Sequence, residues 1–445
     1  MSRLALRPAL RMAARGGARR EVTPWYLAGG IAAANCIAAY TPKGAASLAA
    51  SYDNNAAPGN GLADGTYDAA PGVAPTWAAL TGWTFNGTDQ YLDTGVADDS
   101  QQTWSVLVVF DNAQSDVNTV CGFFRDAGGT SSLLIQASNG SNKTYYYSGA
   151  QKSSNAAPWS SRHNLLALCA KQGYRNAVAD GAAMAAGAGT NPLALFVGAN
   201  NYNGGAVQFT SATISHVAIY NTDVAAQLDD IMTAIGMYRV VGFGDSITAG
   251  IGASDEDHYW LTLVADGIAS PIVANAGISS TVLQNTVQNA VATIGGAADN
   301  NGRDTVAARV LTYTPTLVAI LYGLNDLRLN DAAFSAANFQ NDLGETVDVL
   351  TTGGVMASNI VIGSPPYIPV ASYALDPPLW NAGSALKHAQ YAAACAAVAA
   401  AKGTKYIDVY QWMIDNGGDA LISGDGIHPN DAGHAAIANA FLSVI

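Results

Sequence analysis

The sequence predicts a multidomain chain of two fold classes: an all-β sandwich first, then a three-layer α/β domain built on a parallel sheet. Short apolar or aromatic runs recur through residues 82–220, separated by Asn, Gly, Asp and Ser, which is the spacing of antiparallel strands. From Tyr238 onward five short apolar runs alternate instead with stretches of helical period, as in a parallel sheet covered on both faces. Between the two, Thr222 and Asp223 open an apolar stripe through Val224, Leu228, Ile231 and Ile235 that stops at Gly236. That stretch reads as a linker helix with Thr222 as its N-cap.

Composition narrows the functional classes. A length of 445 residues allows two or three domains. The net charge of −13 argues against a nucleic-acid partner and favours neutral or cationic ligands. Six arginines within the first twenty residues precede any acid, so the remainder carries 14 − 33 = −19 and the acidity belongs to the folded part. Residues 1–20, with Arg3, Arg7, Arg11 and Arg15 at helical spacing, read as a basic flexible tail or an overlong start rather than a targeting helix. The apolar run Tyr26 to Tyr40 is too short for a membrane span, so no transmembrane segment is expected. Cys36, Cys121, Cys169 and Cys395 are too scattered for a disulfide framework or a zinc site, although one pair among the first three stays open.

Taken in order, the first unit spans residues 21–221. Its expected strands include Gly82 to Phe85, Gln90 to Leu92, Trp104 to Phe110, Thr119 to Phe124 and Leu133 to Ile135. Tyr145 to Tyr147, Asn164 to Cys169, Leu193 to Val197 and Thr213 to Tyr220 complete the set. The passages Trp83 to Leu92 and Val197 to Asn221 resemble the opening and closing strands of concanavalin/laminin-G-type jelly rolls. Ala45 to Tyr52 and Thr66 to Gly72 resemble segments of phage-derived and environmental proteins. The jelly-roll resemblance implies glycan binding, for which Trp159, Tyr145, Tyr146 and Tyr147 offer rings, while an aromatic in such a fold more often packs in the core. Asp98 and Asp99, two adjacent acids in a turn, rarely hold calcium alone.

The linker helix takes residues 222–237, and the second unit takes 238–445. Its strands are expected at Tyr238 to Phe243, Pro271 to Ala274, Thr316 to Tyr322, Asn359 to Ile362 and Lys405 to Val409. Helices are expected at Tyr259 to Ile268, Phe334 to Leu350 and Ala385 to Ala401, with a last one after Asn430. The first strand runs into Gly244-Asp245-Ser246, where small residues let the backbone turn sharply. A serine there stands at the edge where open parallel sheets bind ligands. Asn275-Ala276-Gly277, Gly323-Leu324-Asn325-Asp326 and Asp425-Gly426-Ile427-His428 each follow a later apolar run. Each block alone is more often a turn or a cap.

In this order and spacing the four blocks resemble the SGNH (GDSL-type) hydrolase family over residues 238–445. The resemblance implies an α/β ester hydrolase without a cofactor or metal: Ser246 as nucleophile, His428 as general base and Asp425 as its orienting carboxylate. It also implies an oxyanion hole from the backbone N–H groups of Ser246 and Gly277 and the amide of Asn325. Ile247 stands where the family's tetrapeptide usually ends in Leu. The chemistry asks for these residue types, because a serine hydroxyl attacks well only when an imidazole takes its proton and a carboxylate holds that imidazole's tautomer. His258, His388 and His434 read as surface or structural histidines. A long loop carrying Tyr367 and Trp380 suits substrate binding, and suits a stiff surface connection equally. The expected partner is an ester, extending to an acylated polysaccharide; lipase and thioesterase chemistry, or an adhesin with an inactive hydrolase fold, are the alternatives.

Overall fold

The computed structural model describes residues 23–57, 59–98, 103–111, 118–124, 132–138, 144–148, 151–154, 162–185, 191–285, 301–375 and 380–445. The N-terminal half is rich in antiparallel strands, which form an eight-stranded and a nine-stranded sheet. Val106, Val108, Phe110, Leu166, Val217 and Ile219 of the first sheet share one buried cluster with Leu92, Val120, Leu133, Ile135, Tyr146 and Val197 of the second. That arrangement is consistent with a β-sandwich. Alternation fails along Ser105–Asp111, where six consecutive residues are buried. The reason is a second apolar layer: Leu107 and Val109 face away from the shared core and are covered by Trp25–Gly30 and by Leu228, Ile231 and Met232.

Two differences from expectation follow from that layer. The stretch Cys36–Tyr40, within the apolar run to which no strand was assigned, is a strand paired antiparallel with Thr213–Tyr220, because the sheet offers it a buried place. The linker helix spans Leu228–Ala234 and is preceded by a 3₁₀ turn, Ala225–Gln227, so Thr222 does not cap it. Instead the Thr222 carbonyl accepts from Ser105 Oγ (2.8 Å), and Asp223 Oδ1 accepts from the Ala225 N–H (2.9 Å). Cys36, Cys169 and Cys395 are free and buried, and burial pushes the Cys36 and Cys169 thiols up to about 12. The side chains of Asp98 and Cys121, and all of residues 1–20, Asp99 and Trp159, lie outside the described residues.

The C-terminal region is an α/β domain with a parallel sheet. Numbered within it, β1 is Val240–Gly244, α1 Trp260–Gly267, β2 Ile272–Gly277, α2 Gly302–Arg309 and β3 Leu317–Leu321. Next come α3 Leu324–Arg328, α4 Ala336–Thr352, β4 Ile360–Gly363, α5 Ala385–Lys402 and β5 Lys405–Ile407. The last elements are α6 Val409–Asp415 and α7 Asp431–Leu442. The strands run parallel in the order β2-β1-β3-β4-β5. Every residue of β1, β3 and β4 is buried, as a sheet covered on both faces requires. Helices α1 and α7 pack together on the sheet, with the Trp260 and Phe441 rings stacked at 4.7 Å, while α4 packs against α5.

That strand order places Ser246. Connections leave β1 in one direction and β3 in the other, so a crevice opens between their C-terminal ends. Gly244 lies in register with Leu321, which brings the residues after β1 and β3 to that crevice. Arg239, 5% exposed just before β1, joins the two halves of the chain: it donates to Asn176 O at 3.1 Å, to Thr314 O and to the Asp229 carboxylate. Arg162 adds ion pairs to Asp257 (2.8 Å) and Asp266.

Candidate active site

Ser246 follows β1 on a tight turn. Ala249 N–H donates to Asp245 O (3.0 Å), Gly250 N–H to Ile247 O (3.1 Å) and Ile251 N–H to Ser246 O (3.0 Å). Asp245 points inward, is 2% exposed, and accepts the Ile247 N–H at 3.0 Å. Burial outweighs that bond and pushes its carboxyl up to about 7. Ser246 itself is half-buried.

His428 meets it from the loop before α7. His428 Nε2 lies 2.9 Å from Ser246 Oγ, and His428 Nδ1 lies 2.6 Å from Asp425 Oδ2. A carboxylate only accepts, so Nδ1 carries the proton and Nε2 is left to accept from the serine. Asp425 Oδ1 also accepts the N–H groups of Ile427 (2.8 Å) and His428 (2.9 Å) and the Ser423 hydroxyl (2.8 Å). Burial alone would raise the Asp425 carboxyl, but the His428 ring and these donors hold it well below the usual carboxylate range. Gly426 has φ +77°, a left-handed conformation that folds this short loop and lets one aspartate bond both the backbone and the side chain of the residue three positions on.

Asn325, in the first turn of α3, donates one amide N–H to Thr281 O at 2.8 Å, and its NH₂ group carries a second hydrogen. The Thr281 loop is held in turn by Asp326, whose carboxylate accepts the N–H groups of Leu283 (3.0 Å) and Gln284 (2.9 Å). Asp326 is fully buried, and burial pushes it up to about 7. Gly277 packs so closely on the Ser246 turn that a β-carbon there would come within 2.2 Å of Ala249 N. Its N–H donates to Asn275 Oδ1 at 3.0 Å, and Asn275 Nδ2 donates to Thr248 O at 2.8 Å. Asn275 therefore ties the end of β2 to the Ser246 turn.

The other candidates sit differently. Tyr367 donates to Asp419 and packs beside Tyr410, and Trp380 packs with Val282, Leu329 and Phe334 beside the Arg328 guanidinium. Both side chains are half-buried. His434 and His388 are buried and bonded through both ring nitrogens, to Trp260 N and Ile251 O and to Tyr373 Oη and Pro365 O. His258 is exposed beside Asp255. Sequence reading passed over Arg309, which donates to Gly244 O (3.0 Å), Ala276 O and Tyr322 Oη (2.8 Å), with its guanidinium 4.8 Å from the Phe243 ring centre. It clamps the ends of β1 and β2 from below. A lone arginine in a helical stretch carries no signal for this role.

A serine, an imidazole and a carboxylate are thus hydrogen-bonded in series at the edge of the parallel sheet. The family follows from the chain itself: residues 243–436 match the GDSL-like Lipase/Acylhydrolase family, and the C-terminal region is of that family. Solved structures similar to the chain include a lipase/acylhydrolase from Enterococcus faecalis, with 21% identity, 46% of this chain and 93% of that chain covered and a TM-score of 0.36. The native aryl esterase of M. smegmatis is similar at 21% identity over 46% of this chain and 99% of that one, with a TM-score of 0.35. Est24, a carbohydrate acetylesterase from Sinorhizobium meliloti, is similar at 16% identity over 46% and 96%, with a TM-score of 0.33. No curated protein matches the chain. Among the described residues no helix is long and apolar enough to cross a membrane.

The two buried carboxyls make a pH prediction. An aspartate raised to about 7 in the fold stays protonated there while the unfolded chain ionises near its ordinary value of about 3.9. Stability contributed by Asp245 and Asp326 is therefore greatest below about pH 4 and declines until about pH 7. Asp326→Asn is expected to flatten the slope of Tm against pH between 4 and 7, measured by calorimetry beside the wild type. An unchanged slope would show that Asp326 is already ionised in the fold.

Proposed function

We propose that this protein is a serine esterase that hydrolyses carboxylic esters, with acylated polysaccharide as the substrate class. The 2.9 Å approach of His428 Nε2 to Ser246 Oγ, with Asp425 on the far side of the ring, is the observation that carries the reading. Ser246 Oγ attacks the ester carbonyl as its proton passes to His428, and the Asp425 carboxylate stabilises the imidazolium. The tetrahedral oxyanion is met by the second hydrogen of the Asn325 amide and by the N–H groups of Ser246 and Gly277, the last moving from Asn275 to the substrate. His428 then protonates the leaving alcohol, and water repeats the sequence to free the acid. A second, antiparallel unit fixed to this domain through Arg239 and Arg162 supports a polymeric substrate.

The test is a panel of p-nitrophenyl esters and acetylated polysaccharides, with a fluorophosphonate probe mapped by peptide mass spectrometry. Ester turnover with the adduct on Ser246 is expected; an adduct elsewhere, or no turnover on any ester, overturns the reading. Asn325→Ala is expected to lower kcat about a hundred- to a thousand-fold with little change in KM, as for other single oxyanion donors. Loss of thermal stability with kcat intact would reduce Asn325 to a loop anchor. Because the Asp425 carboxyl is held well below the usual carboxylate range, its protonation is not expected to add a step to the acid limb of kcat/KM. A steeper, two-proton limb would contradict this.

A further inference from the structure

The nine-stranded sheet of the N-terminal half carries a groove that the hydrolase reading does not use. Leu133, Ile135 and Tyr146 enter the core, so by the two-residue period of a strand Leu134, Gln136, Tyr145 and Tyr147 look outward. Register confirms the shared face, since Leu134 pairs with Tyr147 and Gln136 with Tyr145. The Tyr145 and Tyr147 rings stack at 6.3 Å with 24° between their planes. Opposite them stands the hairpin of Asn200–Tyr202 and Gly205–Val207. Together Gln136, Tyr147, Asn200, Tyr202 and Gln208, with two aliphatic side chains, line about 340 Å³, a volume within the range of small-ligand sites, roughly 300–1,000 Å³.

The chemistry of the lining selects its ligand. None of these lining residues is charged, which gives no counter-charge to a phosphate, a carboxylate or an ammonium group. Three of them are primary amides, each with donors and an acceptor, and two are tyrosines. Gln136 and Asn200 are only 3% exposed, a degree of burial unusual for amides at a surface. Asn200 Nδ2 donates to Gln208 Oε1 at 3.0 Å, while Asn200 Oδ1 is buried and accepts no hydrogen bond among the described residues. A buried acceptor of this kind calls for a donor from a ligand. A sugar ring meets all of these demands, because its C–H face stacks on an aromatic ring and its hydroxyls both donate and accept.

We propose that this groove binds a neutral saccharide chain, with Tyr147 and Tyr202 as stacking platforms and Gln136, Asn200 and Gln208 reading hydroxyls. The inference goes beyond the esterase reading and stands whether or not Ser246 is catalytic. Its test uses the full-length Ser246→Ala protein, so that no ester is consumed, in affinity electrophoresis and calorimetry. The probes are neutral soluble polysaccharides (a β-glucan, a xylan and a galactomannan), anionic alginate and cationic chitosan. Binding to at least one neutral polymer is expected, with Tyr147→Ala and Tyr202→Ala each weakening it about tenfold at unchanged Tm and Tyr147→Phe retaining it. Asn200→Asp, which replaces the amide donors by a charge, is expected to weaken it as strongly. Absence of binding to every neutral polymer, or neutral binding that survives both tyrosine substitutions in folded protein, overturns the proposal. A preference for alginate or chitosan overturns it as well.

Discussion

Ser246→Ala is expected to remove ester turnover by roughly 10⁴-fold or more while leaving the melting temperature within about a degree of wild type, on the scale seen for nucleophile loss in serine hydrolases. The size of the effect follows from the absence of a second hydroxyl that could take its place: the hydroxyl 2.9 Å from His428 Nε2 is Ser246 Oγ, and no other hydroxyl among the described residues bonds that ring nitrogen. The small stability cost follows from the half-buried position of Ser246 on a turn held by backbone bonds and by the Asp245 and Asn275 side chains, none of which uses the Ser246 side chain. Initial rates on a p-nitrophenyl ester and a melting curve of the same preparation decide it. Turnover above about a hundredth of wild type in folded mutant protein would remove Ser246 from the chemistry.

His428→Ala should cost nearly as much activity as loss of the serine, because the three groups act as a unit and an unassisted hydroxyl is a poor nucleophile. His434→Ala is the paired control, and the two should separate cleanly. His434 is fully buried, its Nδ1 3.3 Å from Trp260 N and its Nε2 3.2 Å from Ile251 O, so its loss orphans two backbone groups. A destabilisation of about 1–3 kcal/mol with kcat within a few-fold of wild type is expected for His434→Ala. For His428→Ala the ranking reverses, since its ring is part-exposed and bonds only Asp425 and Ser246. Equal kinetic losses in the two variants, with stability intact, would mean that neither histidine has been given its correct place.

Much of this was legible in order along the chain. The expected catalytic strands start within two residues of those observed, because a strand buried on both faces is written as an unbroken apolar run such as Leu317–Leu321. Three of the four site blocks were legible for a related reason: Ser246, Gly277 and Asn325 stand at or just after the ends of β1, β2 and β3, and a parallel sheet collects the C-terminal ends of its strands at one edge, whereas Asp425 and His428 lie further on, in the loop before α7. The strand Cys36–Tyr40 was not legible, since its apolar pattern also fits a buried helix and its partner lies more than 170 residues away. The start of the linker helix was placed three to six residues early, because a 3₁₀ turn, Ala225–Gln227, stands between Thr222 and the α-helix.

By itself the sequence determined the α/β class of the C-terminal half with its five parallel strands in order, the richness of the N-terminal half in antiparallel strands, and the residue types that can perform ester chemistry, since these depend on local periodicity and on groups adjacent in the chain. Only the tertiary structure decided which of those groups touch. It set Ser246 against His428 across 182 positions. It engaged the Gly277 N–H with Asn275 and hung Asn325 from a loop that buried Asp326 holds. It also put Tyr146 in the core while turning Tyr145 and Tyr147 to the outer face. The physical reason is that hydrogen bonds and ring contacts act over a few ångströms of space, and a linear pattern records neither the register between strands nor the rotation of a loop.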